Sequence, residues 1–350
     1  MNAASTRSFG EYDALIVVSF GGPEGPDDVL PFLENVLRGK NVPPARMLEV
    51  AAHYRHFGGV SPINAQNRQL IAALRREFDE RGIGLPIYFG NRNWHPFLPD
   101  TLRQMRSDGI SRALAFFTSP YSSYSGCRQY RENILQAQEE LGPRAPGIDK
   151  LRAFHNHPGF IEPMAELARR ALVALAPSVR SETPLLFTAH SIPLAMSQGC
   201  AYAAQLGEAC RLVAERVGGP PWDLVYQSRS GPPAQPWLAP DVGDALRALA
   251  GGQTVPRHVL LVPIGFISDH LEVLFDLDTE AREICATLEL PMTRVPTVGT
   301  HPRFVRMIRE LVEERGPANR RAPRWALGDS GPAHDICPED CCRISETRHA

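Results

Sequence analysis

Glu272, Asp276 and Glu280 stand four residues apart in the stretch 263–280, PIGFISDHLEVLFDLDTE. On a helix that spacing puts three carboxylates on one face. Like charges so placed repel by about 0.2–0.5 kcal/mol per pair, so the row is either a solvated acidic face or a set of oxygen donors for a cation. His190, in TAHSIP at 188–193, adds a group that near neutral pH can take a proton or bind a metal. A lone histidine after a strand is also a common structural hydrogen-bonder. Facing a carboxylate, it becomes a metal-and-proton pair.

The elements that must position these groups are legible as short apolar runs at 14–20, 85–90, 112–118, 185–189, 224–227, 259–266 and 293–298. Helix-like stretches separate them, and 164–176 and 202–217 carry apolar residues at helical spacing with charges opposite. This alternation predicts βαβ units and parallel sheets. The run 258–266 reads as a buried strand, the polar turn 268–270 follows, and the acidic row then starts a helix. Six runs end in SFGGP, GNRNWHP, TSPYSSYSG, TAHSIP, QSRSGP and GFISDH. Singly these tails are turn chemistry. Together they predict one ligand cleft outside the carboxyl ends of the strands.

A chain of 350 residues is long for one domain and predicts two. The loop-like stretch 141–158 is the seam, giving an N-terminal lobe at 12–158 and a C-terminal lobe at 159–300. An amphipathic helix at 301–316, capped by Thr300 and Gly316, would complete the first lobe, and 317–350 reads as a tail. With 43% hydrophobic and 22% charged residues the composition is that of an ordinary globular protein. A net charge of −2 argues against a nucleic-acid partner. The polar start MNAASTRSFGEYD has no signal-peptide core, and no apolar run is long enough to span a bilayer, which places the protein in the cytoplasm. Seven cysteines then read as thiols or metal ligands. Cys337, Cys341 and Cys342 lie together in ICPEDCCRI and suggest a metal, with an iron–sulfur cluster, zinc and free thiols all open on spacing. There is no P-loop lysine motif, GxGxxG, GxSxG or HExxH.

Five motifs in order carry a resemblance: SFGGP (19–23), GGVSPIN (58–64), GNRNWHP (90–96), TAHSIP (188–193) and PIGFISDHLEVLFDLDTE (263–280). Over residues 12 to about 310 the chain resembles the ferrochelatases, which insert ferrous iron into a porphyrin. SFGGPEGPDDV and YSSYSGCRQYREN are most similar to the actinobacterial-type branch, which tends to metallate coproporphyrin III. The implied fold is two Rossmann-like lobes, each a parallel sheet flanked by helices, with the porphyrin cleft between them. The resemblance implies His190 and Glu272 as the catalytic, metal-facing pair, with Asp276 and Glu280 continuing the metal row. It implies Arg38, Ser61 and Tyr130 as porphyrin contacts. Some Gram-positive relatives carry an iron-ligating tyrosine where this chain has Phe20, which can pack on a macrocycle face instead.

Porphyrin chemistry agrees with the residues. A flat aromatic with carboxylate arms wants aromatic walls, for which Phe20, Trp94, Tyr121 and Tyr124 are candidates, and arginines at the rim, for which Arg38, Arg92, Arg128 and Arg131 are. The implied reaction is Fe²⁺ insertion into coproporphyrin III to give coprohaem in haem biosynthesis. Protoporphyrin IX is the alternative substrate. Another tetrapyrrole chelatase and a non-catalytic haem- or metal-binding protein on the same scaffold are the rivals. The implied partners are the porphyrin, ferrous iron and a further enzyme of the haem pathway. Several ferrochelatases hold a [2Fe–2S] cluster with three C-terminal cysteines and one internal cysteine. That implies a structural cluster on Cys337, Cys341, Cys342 and, of the internal cysteines, Cys127.

Overall fold

A computed structural model describes residues 9–39, 42–231, 234–316 and 323–343. The first sheet contains β1 (Ala14–Ser19), β2 (Ile87–Asn91), β3 (Arg112–Phe117) and β4 (Gly147–Lys150), in the order β2-β1-β3-β4. The second contains β5 (Leu185–His190), β6 (Trp222–Gln227), β7 (Val259–Val262) and β8 (Met292–Arg294), in the order β6-β5-β7-β8. All neighbouring strands in both sheets are parallel. Helices connect the strands, as parallel crossovers require. Each unit is thus a Rossmann-like α/β layer structure.

Burial explains why the central strands were legible. All six residues of β1 and all four of β7 are buried, so both read as unbroken apolar runs. Removing each such Val, Leu or Ile from water contributes about 1.5–3 kcal/mol. In the first unit Ala14, Ile16 and Val18 pack with Leu98, Leu102, Met105 and Tyr130. In the second, Leu186 and Leu261 pack with Val242, Leu246, Val273 and Leu277.

The described parts of Met1–Thr118, Gln129–Leu151 and Ile308–Arg324 make the first compact unit. Those of Ser119–Arg128, Arg152–Met307 and Trp325–Ala350 make the second. The segment 119–128 therefore joins the second unit, although it lies within the stretch 12–158. Its contacts show why: the Tyr121 hydroxyl donates to the Ile264 carbonyl at 2.9 Å, and Ser122 N–H donates to Gln205 Oε1 at 2.7 Å.

Several elements differ from expectation. β4 lies inside the stretch expected to be a loop, because GIDK is an edge strand with no apolar signal; it pairs with Arg112–Ala115 of β3. β7 stops at Val262 rather than 266, since Pro263 has no N–H to continue the ladder. β8 is Met292–Arg294, not 293–298. The helix expected at 164–176 starts earlier, at Pro158, where His157 caps it by accepting from Gly159 N–H at 3.0 Å. The last helix is Pro302–Glu314; its start is served by His301 Nδ1, which accepts from Arg303 N–H at 3.2 Å, and not by Thr300. Most consequentially, the acidic row does not sit on a plain α-helix. A turn of α-helix (Leu271–Val273) passes into a π-helix (Leu274–Glu280) and then into α-helix again (Ala281–Thr287). π-helical turns of this kind concentrate at functional sites.

Among the described residues, no helix is long and apolar enough to cross a membrane.

Candidate active site

The second sheet reverses its direction of growth between β5 and β7, which makes that crevice its topological switch point. His190 is the last residue of β5, and the segment leaving β7 leads to Glu272. Gly265 lets that segment press against the strand end: a Cβ there would lie 2.7 Å from both Cα and Cβ of Ala189. Its N–H donates to the Thr188 carbonyl at 3.0 Å. Close backbone approach is what brings the two side chains together.

His190 Nε2 lies 4.0 Å from Glu272 Oε2, with the side chains 34% and 49% exposed. That is too long for a direct hydrogen bond. It suits two donors that each reach one divalent ion at about 2.0–2.2 Å. His190 Nδ1 contacts the Ser191 carbonyl at 2.5 Å. A carbonyl only accepts, so Nδ1 is a protonated nitrogen and Nε2 is the ring atom turned toward Glu272. The buried Tyr202 hydroxyl donates to the His190 carbonyl at 2.9 Å and pins the strand end.

Asp276 is recessed while Glu272 and Glu280 are exposed. Gln227 Nε2 donates to Asp276 Oδ2 at 3.0 Å, and Ser228 Oγ donates to the same oxygen. Burial pushes the Asp276 carboxyl up to about 7; the Ser228 and Gln227 hydrogen bonds oppose this, and Glu272 and Glu280 add to it. A carboxyl with a value near 7 can be found with or without its proton close to neutrality. Burial likewise pushes His270 below the usual imidazole range. Arg294 braces the whole element: its guanidinium holds Asp278 of the π-helix at 2.8 Å and Asp269 of the preceding loop at 2.7 Å.

Gln227 and Ser228 were not singled out from sequence beyond their place in the tail QSRSGP. Ser228 has φ 60°, a left-handed conformation uncommon outside glycine and asparagine, which aims its hydroxyl at Asp276. No sequence pattern announces that.

Asp276 yields a pH prediction. Its folded value of about 7 lies above its ordinary 3.8, so between those limits the folded chain binds more protons than the unfolded one. This group's contribution to stability must then fall as pH rises from about 4 to about 7. Urea unfolding at several pH values should show Asp276→Asn losing that part of the slope; an unchanged slope would contradict the assignment.

In the first unit, three of the expected porphyrin contacts converge. The Arg92 guanidinium lies 4.6 Å from the Tyr130 ring centre and 5.8 Å from that of Phe20. Arg92 Nε donates to Asn133 Oδ1 at 2.7 Å. Ser61 is buried under the first glycine turn, where a Cβ on Gly22 would meet its Cβ at 2.7 Å. Arg38 is exposed and bonded to Asn35 Oδ1 at 2.6 Å. In the second unit, Tyr124 opens a π-helical turn, Tyr124–Arg128. Two candidate walls are core residues instead: Trp94 is 8% exposed and Tyr121 2%. Arg128 is committed to the tail, its Nη1 donating to the Glu339 and Cys341 carbonyls at 2.8 and 3.0 Å.

A family model described as Ferrochelatase matches residues 12–316. The chain belongs to the ferrochelatase family. A relative called "Ferrochelatase" from Rhodopirellula baltica is 60% identical over 96% of this chain and 95% of its own. Relatives called "Coproporphyrin III ferrochelatase" from Streptomyces coelicolor and Streptomyces griseus are 51% and 50% identical, over 97% and 95% of this chain and 95% and 93% of theirs. The solved structure of SirB from Bacillus subtilis with Fe³⁺ is 9% identical, with a TM-score of 0.53 over 90% of this chain and 99% of that one, a likeness of fold. As a ferrochelatase-family protein, the chain has iron as a substrate.

The tail is not detached from the fold. Arg152, 2% exposed, donates to the Trp325 carbonyl at 2.9 Å, and Asn156 Nδ2 to the Gly331 carbonyl at 2.9 Å. Glu208 accepts from Ser330 N–H at 3.2 Å and pairs with the buried His155 at 3.1 Å. The Sγ atoms of Cys341 and Cys342 are 3.5 Å apart, Cys337 is half-buried, and the buried Cys127 lies next to Arg128, which holds the tail. This thiol-rich donor set fits a thiolate-bound metal centre.

Proposed function

We propose that this protein inserts Fe²⁺ into coproporphyrin III, giving coprohaem, in haem biosynthesis. The observation that carries it is the 4.0 Å pair of His190 Nε2 and Glu272 Oε2 at a strand's carboxyl end, backed by the recessed Asp276, whose carboxyl burial pushes up to about 7. The exchange balances: one Fe²⁺ enters and two pyrrole N–H protons leave, so the charge of the macrocycle is unchanged. The unprotonated Nε2 of His190 accepts a pyrrole proton. Glu272 guides iron toward that nitrogen and passes protons outward, and Asp276 and Glu280 continue the path. A macrocycle bent from planarity exposes the nitrogen lone pairs, so binding that favours the bent form accelerates insertion.

Phe20 and Tyr130 supply aromatic surface, and Arg92, Arg38 and Ser61 polar contacts, for a flat ligand bearing carboxylates. Tyr124 is a further aromatic contact. Arg131 adds to this: its Nη1 is buried with no hydrogen-bond partner among the described residues, a donor that a propionate would satisfy. The tail reads as a structural [2Fe–2S] centre, with Cys337, Cys341 and Cys342 as three ligands and the fourth from Cys127 or from the tail itself. A cytoplasmic location is supported by none of the seven cysteines, all among the described residues, being in a disulfide.

Coproporphyrin III has four propionates and protoporphyrin IX two. In direct competition the first should therefore be metallated preferentially, and the preference should shrink at high salt because the extra contacts are charge-assisted. An equal or reversed preference would move the chain to the protoporphyrin reading.

The acidic row carries its own test. The Asp276→Asn, Glu280→Gln double variant should raise the iron concentration for half-maximal rate about tenfold, with kcat within about threefold. A normal iron dependence would reduce the row to a solvated face.

A further inference from the structure

The tail brings a donor to the thiols that is not a cysteine. Among the described residues, the ligand atoms of His334, Cys337 and Cys341 all lie within 4.8 Å of one another. His334 Nε2 is 3.8 Å from Cys341 Sγ, and Cys342 Sγ is 3.5 Å from the same sulfur. Donors bound tetrahedrally to one metal atom at about 2.0–2.3 Å stand roughly 3.3–3.8 Å apart, so either spacing is that of a ligand pair on one metal atom; zinc would take all of these donors, and a [2Fe–2S] cluster two per iron. A second observation points the same way. Cys342 has φ 56°, a left-handed conformation costly for a residue with a Cβ, and it folds the chain back at the sulfur pair. Arg128 and the Asn156–Gly331 hydrogen bond hold either side of this segment in place.

We propose that His334 is a ligand of the tail's metal centre together with Cys337 and Cys341, so that the centre closes within the tail and Cys127 is not a ligand. The inference rests on reading the tail as a metal centre. It concerns the nitrogen donor, and a mixed nitrogen–thiolate set suits either an iron–sulfur cluster or zinc.

The full chain is purified without oxygen, and iron, acid-labile sulfide and zinc are measured per chain for wild type, Cys127→Ser, His334→Ala and His334→Cys. Pulsed EPR of the reduced protein reads a nitrogen bound directly to the cluster. The expected result is a nitrogen coupling in wild type and in Cys127→Ser, which keeps its cluster. His334→Ala should lose most of its metal, and His334→Cys should keep a cluster without the coupling. A wild-type cluster with no nitrogen coupling, or a cluster lost in Cys127→Ser and kept in His334→Ala, overturns the assignment. Zinc without sulfide would sink the cluster while leaving His334 to be judged: zinc lost in His334→Ala supports it, and zinc retained overturns it. No bound metal would overturn both readings.

Discussion

His190→Ala should lower insertion by about 10²–10⁴-fold while leaving porphyrin binding and the fold intact. The expectation follows from geometry. The Ser191 carbonyl holds the Nδ1 proton, which leaves Nε2 as the nitrogen to take another, and it stands 4.0 Å from Glu272 Oε2. The side chain is 34% exposed, so truncation leaves no large cavity. Porphyrin binding is read by fluorescence quenching and folding by thermal melting, so loss of chemistry separates from loss of structure. Turnover retained within about tenfold, roughly 1.4 kcal/mol of barrier, would remove His190 as proton acceptor.

Glu272→Gln should cost about 10²-fold in kcat/KM for iron. The amide keeps the size of the side chain but loses the charge that attracts Fe²⁺ and the ability to carry a proton. The carboxylate is 49% exposed, and so exposed a charge stabilises the fold little. Melting should therefore match wild type. A variant with wild-type kcat/KM would mean that iron arrives by another route. Glu272→Asp should recover part of the loss, since the charge returns one methylene short.

What was legible in the sequence and what was not has a common physical reason. β1, β5 and β7 are buried on both faces and announce themselves as apolar runs. Their tails pointed to His190 and Glu272 as candidates, since sheet topology puts ligand-facing groups at strand ends. β4 was hidden because GIDK offers a single apolar side chain, Ile148, while its Asp149 holds Arg112 at 2.7 Å. The π-helix was hidden because a change of hydrogen-bond register leaves composition untouched, yet the observed row recesses Asp276 between two exposed glutamates. Gln227 and Ser228 act through one oxygen of Asp276, a contact set by a left-handed backbone residue. Docking of the tail depends on Arg152, Asn156 and Glu208, far from it in sequence. The proposed ligand His334 carries no sequence signal, because the cysteine spacing points to sulfur alone.

The central claim is that this chain catalyses iron insertion at the His190–Glu272 pair. The most direct measurement is anaerobic spectrophotometry of the purified protein with coproporphyrin III in large excess and Fe²⁺ added. Many metallations per chain are expected, with the rate saturating in both substrates and nearly absent in His190→Ala. A spectral change that stops at one equivalent per chain, or turnover unaffected by His190→Ala, would contradict it.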